Sequence, residues 1–413
     1  MLADHSLCRA ARVLASEPNP LPGVLLCRQR SYFSYIPSHF GHTVALDDAF
    51  RCLLTVAHSK LVPSHRSSDE TILSNYSKAL QSLQLAVSDR KTRYSTEILC
   101  ATAILAIFEV SDSTSCKSDQ SLIKSQLLNS PNGKPWSQHI AGAAHLIQLR
   151  GPSRFTSEFD KSLFISLTYP IVSIPCLLLH ILVVNPSLQC SQSLLNNEYC
   201  FLDDPTWNEV MEAIHIPSEM FSDRSKLGIE LMMLKPKVSG LAKRTNHAVL
   251  MQDTLQPKDF EGITDDLHAA RSTMVSWRCK FNTALIHANE RSREDPLDFS
   301  KRYELLGISL VVHIILSRLL CSMVPNERGL LEGEVQNLAL ELKTIQGSLG
   351  HNRRAELFFE QKAKIGDAAI ATHKYFQEVV NSGRIVELWR LEKFFDALGR
   401  KNCDGKMCCD PNL

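Results

Sequence analysis

The chain has 413 residues, with 45 Lys and Arg against 44 Asp and Glu, a formal net charge of +1. That balance gives no whole-chain electrostatic ground for binding nucleic acid or an anionic membrane surface. Hydrophobic residues make up 44% of the chain, enough for a substantial core, which excludes a disordered protein.

In chain order, residues 1–30 read as a poorly ordered lead-in punctuated by Pro18, Pro20 and Pro22. Arg9, Arg12, Arg28 and Arg30 would suit a mitochondrial presequence, but Asp4 and Glu17 oppose it, and the apolar core of a secretory signal is missing. Pro37 and Gly41 then punctuate the run SYFSYIPSHFGH. Thr43 is placed to cap a helix running to about residue 62, with Asp47 and Asp48 in its first turns and Leu46, Phe50, Leu53, Leu54 and Ala57 on one face. A second helix is predicted over 68–88, with Ser67 and Glu70 at capping-box spacing. A third, over 95–110, is apolar nearly all round and therefore central, with Ser95 as its cap. Residues 112–135 are polar and Ser-rich and read as a long loop with a short helix near 120–128.

The stretch WSQHIAGAAHLIQLRGP, Trp136 to Pro152, reads as one amphipathic helix with a sharp stop. Trp136, Ile140, Ala144 and Ile147 recur at helical spacing, widened by Ala143 and Leu146. Gly142 in mid-helix suggests a neighbouring helix packed against bare backbone. Arg150 complements the helix dipole, Gly151 supplies a left-handed cap and Pro152 ends the helix. Residues 161–184 carry no charge after Lys161 and reach membrane-spanning length. Pro170, Pro175 and His180 favour instead a kinked, buried helix pair. A polar connection over 185–204 leads to a helix opened by Pro205. The run from Ser218 is read as helical to about Leu234, with a break at Pro236 and Gly240. Helices then follow over 259–290, 297–323, 328–348, 354–381 and 385–399, and 401–413 reads as a flexible tail. Strand alternation and a βαβ rhythm are both missing. The fold class is all-α: an irregular array of antiparallel helix pairs over 31–400, solenoid-like in character.

Thirteen cysteines are scattered singly through apolar stretches, among them Cys52, Cys100, Cys176 and Cys321, as suits buried reduced thiols rather than a disulfide framework. The chain holds no Gly-rich nucleotide loop, no G-x-S-x-G elbow and no H-E-x-x-H. His39 and His42 read as a turn before a helix, with no carboxylate or cysteine at matching spacing. Cys403, Cys408 and Cys409 make an incomplete metal set. His139 and His145 fall on different helix faces, and His139 reads as a packing or hydrogen-bonding residue. Asn75-Tyr76-Ser77 matches a glycosylation acceptor but falls inside a predicted helix.

Trp136, His139, Gly142, Ala143, Leu146, Ile147, Arg150, Gly151 and Pro152 meet a pattern W-x-x-H-x-x-G-A-x-x-L-I-x-x-R-G-P. In this the chain resembles the regulatory middle region of fungal zinc-cluster transcription factors, the fungal-specific transcription factor domain. IPSHFGHTVALDDAF, YSKALQSLQLAVSD, ILCATAILAIFEV and FLDDPTW resemble other pieces of that region in the same order, over about residues 32–207. The resemblance implies an all-helical regulatory body, a nuclear location and a pathway-specific regulatory role, fungal secondary-metabolite gene clusters among the candidates. It also implies partners that are other regulators or a second copy, and a small-molecule effector between helices.

The family usually carries six closely spaced cysteines that bind two zinc ions and read DNA. Nothing here matches them, Cys8 and Cys27 being the only cysteines before residue 52. The sequence therefore predicts no catalytic, metal or DNA-binding residues, with zinc expected only if such a cluster precedes the residues seen here. Direct DNA binding is not expected, action through protein partners is, and no membrane partner is. Two other readings stand beside this one: an all-α accessory or biosynthetic enzyme with an unidentified site, and a membrane-associated protein anchored by 161–184.

Overall fold

A computed structural model describes residues 2–15, 31–61, 67–113, 135–172, 199–251, 253–289, 296–349, 353–378 and 384–398. Among the described residues every regular element is helical, with no strand. They fall into two compact units, the first holding the described residues up to Ile171 and the second Val172 and those from Tyr199 onward. One helical body over 31–400 was the expectation from sequence.

The first unit contains α1 (Leu2–Ala15), a 3-10 turn (Ser31–Tyr35) leading into α2 (Ile36–His39), α3 (Val44–Leu61), α4 (Asp69–Ser88), α5 (Thr96–Ser113), α6 (Pro135–Arg150) and α7 (Glu158–Val172). The expected lead-in is thus helical in its first half. Ala11 and Leu14 are buried where α1 meets the 3-10 turn and α2, and that burial outweighs the weak local signal. The caps follow the sequence closely. Thr43 Oγ1 accepts the Leu46 amide at the start of α3, and Ser95 Oγ accepts the Ile98 amide at the start of α5. In α4 the cap is Ser68, which accepts the Thr71 amide, one residue beyond the predicted Ser67.

Helix α5 lies at the centre, packed by α3 on one side and α6 on the other. Ile98 through Phe108 are buried almost without interruption, as an apolar surface on all sides requires. Only the first part of 161–184 is described, as the end of α7, where Leu163, Phe164, Ile165 and Leu167 are buried together with Ser162 and Thr168. Of the loop predicted over 112–135, residues 112 and 113 instead end α5 and Pro135 begins α6, while 114–134, with the predicted short helix, the remainder of 161–184, Cys176 and the tail with Cys403, Cys408 and Cys409 lie outside the described residues.

The second unit begins with two 3-10 turns (Phe201–Asp203 and Pro205–Trp207). It continues through α8 (Asn208–Ile214), α9 (Lys226–Leu250), α10 (Pro257–Asn289), α11 (Pro296–Met323), α12 (Arg328–Ser348), α13 (Arg353–Glu378) and α14 (Arg384–Ala397). Helix α11 is its axis, contacted by α9, α10, α12, α13 and α14. It is long and apolar enough to cross a membrane, but that apolar stretch is wholly buried within the unit, as a central core helix is.

Two expectations are corrected here. The chain from Ser218 to Arg224 is turns rather than helix, and α9 starts only where Ser225 Oγ accepts the Gly228 amide. Helix α9 then runs unbroken through Pro236 and Gly240. Proline in a helix costs ~3 kcal/mol. Burial of Leu231, Met232, Leu234, Val238 and Leu241 offsets this at about 1.5–3 kcal/mol per side chain. Gly240 serves close packing, since a methyl there would stand 3.2 Å from the Tyr199 ring. Closer still, a methyl on Gly228 would come within 2.2 Å of the Ser222 carbonyl oxygen and 2.7 Å of Asp223 Cα, both backbone atoms. Gly228→Ala should therefore lower stability by about 1–3 kcal/mol or more, read as a drop in the denaturation midpoint of the purified chain at unchanged m-value.

Candidate functional site

The signature helix α6 runs antiparallel to α5. Gly142 faces Thr102, His139 lies near Glu109 at one end and Arg150 meets Thr96 at the other. Its buried stripe is Ile140, Ala143, Leu146 and Ile147, with Ala144 half-buried at the edge. Trp136 lies in the first turn, but its side chain is outside the described ones. At Gly142 the helix neighbour predicted from sequence is present, yet a methyl would meet Thr102 Cγ2 at 4.0 Å, an ordinary contact. The glycine is therefore permitted here rather than demanded.

At the C-terminal end, Gly151 takes φ 71°, ψ 162° and donates its amide to the carbonyls of Ile147 and Gln148. That backbone region is essentially confined to glycine, so the cap needs this residue. Pro152 then opens a single 3-10 turn, Pro152–Arg154.

Arg150 does more than complement a dipole. Its side chain is buried, and Nη2 donates to Asp160 Oδ1 at 2.6 Å, to Thr96 Oγ1 at 3.2 Å and to the Arg154 carbonyl at 3.4 Å. Its guanidinium lies over the Phe155 ring, 4.8 Å from the centroid. Asp160 in turn accepts from the Thr96 hydroxyl on Oδ1, and from the Ser157 hydroxyl and amide on Oδ2. The Asp160 amide donates back to Ser157 Oγ at 3.0 Å, which completes a reciprocal capping box at the start of α7. Burial lowers the Arg150 pKa from its ordinary value, and Asp160 works against that shift. One carboxylate thus joins the end of α6 to the beginnings of α5 and α7. The Ser157-x-x-Asp160 spacing ahead of an apolar run was the available sequence signal for half of this joint. No local signal pairs Arg150 with it.

At the other end of α6, His139 Nε2 lies 3.9 Å from Glu109 Oε1. Glu109 also accepts from the Tyr76 hydroxyl, while the Tyr76 ring stacks on Phe108. Burial, followed by the charge of Glu109, pushes the Tyr76 pKa upward. Burial lowers His139 to about 4 despite the nearby carboxylate, so its imidazole is neutral at physiological pH. It is a packed, polar-contact residue, as the sequence suggested. His145 is exposed on another face.

Three further sequence candidates can be placed. Asn75 lies in α4 with Nδ2 donating to Thr55 Oγ1 at 3.1 Å, so the acceptor triplet is embedded in a helix pair. Cys52, Cys100, Cys200 and Cys321 are buried and outside any disulfide, and burial pushes Cys321 up to about 12, which makes it an inert packing residue. His39 and His42 call for a correction, because a carboxylate partner does exist. Glu97, remote in sequence, stands between them, with Oε1 at 2.9 Å from His39 Nδ1 and 3.6 Å from His42 Nδ1.

A model of the fungal-specific transcription factor domain matches residues 29–199, close to the span of the resemblance. Over that span, which is less than half of the chain, the sequence is similar to the fungal-specific transcription factor domain. It is also similar to an uncharacterized protein of Emericella nidulans, AN5342, with 25% identity over 277 residues, 63% of this chain and 50% of that protein. The chain thus spans about half the length of the curated relative it matches. No solved structure matches it. The domain's matched span contains the whole of α6 and the Asp160 joint, so the signature residues described here are those that hold its helices in register.

Two outcomes are expected. Removing one partner of a buried ion pair leaves the other uncompensated, so Arg150→Ala should cost about 3–5 kcal/mol in chemical denaturation, and Arg150→Lys, which cannot reproduce the guanidinium contacts, should recover only part of it. For His139, the folded pKa of about 4 lies below the ordinary 6.5, so the unfolded chain takes up the proton first. Its stabilising effect is full above pH 6.5 and declines as pH falls toward 4, by up to about 3 kcal/mol. A His139→Gln variant should show a flatter stability profile over that window in denaturation series at fixed pH values.

Proposed function

We propose that the chain is a nuclear transcriptional regulator whose helical body works through protein partners, either other regulators or a second copy of itself. The observation that carries the proposal is the fungal-specific transcription factor domain over residues 29–199. A pathway-specific role, with a secondary-metabolite gene cluster among the candidates, belongs to the same proposal. So does regulation by a small-molecule effector held between helices. The polar core of the second unit, around Arg318, Arg328, Glu332 and Arg390, encloses a void of only about 10 Å³, room for little more than one water. An effector would therefore need another place to enter.

The test is made in the cell and in the tube. A fluorescently tagged chain should accumulate in the nucleus, and deleting the gene should change transcripts of a small co-regulated set. The tagged chain should also recover another regulator, or an untagged copy of itself, on purification. A cytosolic distribution with no transcript change would overturn the regulatory reading. A sequence-specific footprint from the purified chain alone would overturn its dependence on partners.

A further inference from the structure

We infer that His39, His42 and Glu97 form a binding site for a divalent first-row transition-metal ion, with zinc as its natural probe. Candidate ligand atoms of the three residues lie within 4.8 Å of one another. Glu97 Oε1 is 2.9 Å from His39 Nδ1 and 3.6 Å from His42 Nδ1. Ligands bound at 2.0–2.2 Å in a tetrahedral site stand about 3.3–3.5 Å apart. The two spacings to Glu97 bracket that value, and with all three ligand atoms within 4.8 Å of one another, rotation of one exposed and two partly buried side chains would close the site. Two imidazoles and a carboxylate suit zinc and its neighbours in the first row and discriminate against calcium or magnesium, which prefer all-oxygen shells.

The local structure holds this set in place without the ion. His39 ends α2, and Gly41 at φ 91° turns the chain back so that His42, three residues on, faces the same carboxylate. The Gly41 amide donates to Asp47 Oδ1 at 2.8 Å, and Thr43 caps α3 immediately beyond, so the turn is anchored on its far side. The His39 ring lies against Phe159, with centroids 4.5 Å apart. Glu97 sits in the first turn of α5, where a negative charge suits the helix dipole. Burial alone would raise its pKa, but hydrogen bonds from His39, its own backbone and Ser95 bring it below the ordinary carboxylate value. His42 is more than half exposed while Glu97 is largely covered, so the site opens on one side, where solvent supplies the remaining ligand.

The placement gives the ion a structural task. Glu97 follows Thr96, and Phe159 precedes Asp160, so the metal set and the Arg150–Asp160 joint rest back to back on the first turns of α5 and α7. A bound ion would fasten the α2–α3 turn to that joint, replacing the His39–Glu97 hydrogen bond with a stronger link.

The experiment uses the full chain, freed of metal with a chelator and titrated with cobalt(II) and zinc(II), beside His42→Ala and Glu97→Gln. The exposed position of His42 makes its variant safe to fold, and Glu97→Gln preserves shape while removing the charge. The parent chain should take up one cobalt with the ligand-field absorption of nitrogen and oxygen donors. Zinc at about a hundred times its dissociation constant should raise its melting temperature by roughly 3 °C. Both variants should lose this absorption and bind at least about tenfold more weakly. Thiolate-to-cobalt charge transfer as the sole signal, or uptake and melting shifts unaltered in both variants, would mean cysteine or adventitious binding and would overturn the proposal.

Discussion

The first unit depends on one buried carboxylate. Asp160 is within hydrogen-bonding reach of residues from three helix ends, and each uses a different part of its chemistry. Arg150 offers charge, Thr96 a hydroxyl and Ser157 a cap. Burying a carboxylate is unfavourable unless a counter-charge and several donors meet it. Because these donors come from separate helices, the constraint acts on tertiary structure. The ends of α6, α5 and α7 can satisfy Asp160 only when all three are in register. Apolar burial along α5 supplies most of the attraction between these helices, and it tolerates sliding. The polar joint does not, and it fixes where sliding stops.

The second unit shows the same division of labour. Around the apolar axis α11, Arg318 donates to Glu332 at 2.9 Å and to the Ala369 carbonyl at 2.6 Å, while Glu332 also meets Gln336 and His373. Close by, Glu387 lies between Arg328 and Arg390. On the outer side, Arg271 and Arg278 of α10 pair with Glu334 and Glu341 of α12, seven residues apart on each helix. Two parallel helices separated by an apolar neighbour thus keep a common register through charged side chains long enough to reach across. Such pairs add modestly to stability, since each must be desolvated. What they exclude is the one-turn shift that an apolar interface alone would tolerate.

This explains what the sequence revealed and what it hid. Helix spans were legible because amphipathic periodicity and caps are local: Thr43, Ser95 and Gly151 act where their chemistry suggested. The all-round apolar surface of 95–110 correctly marked a central helix. The break expected at Pro236 and Gly240 failed because a local penalty of a few kcal/mol was set against burial along a helix of 25 residues, which local reasoning does not see. The joints were hidden for a different reason. Arg150 with Thr96, and His39 with Glu97, are separated by more than fifty residues, and nothing in a single sequence announces such a pair. A lone arginine at a helix end reads as a dipole partner, and two histidines in a turn read as a turn.

Once the signature residues are known to be joints and caps, the pattern they form takes on a narrower meaning. A motif in which Arg150, Gly151, His139, Leu146 and Ile147 satisfy packing or hydrogen-bond requirements reports the fold on which a function is carried. Arg150, Gly151 and His139 would be required in any protein that holds these helices in this register, whatever genes or partners it serves. Features that distinguish one such protein from another must then lie where substitution leaves the joints intact, on exposed helix faces and in the turns between helices. The His39–His42 turn is such a place. It rests on the joint through Phe159 and Glu97 without being needed to satisfy Asp160. It can therefore vary, and take on chemistry of its own, while the helices beneath it stay where they are.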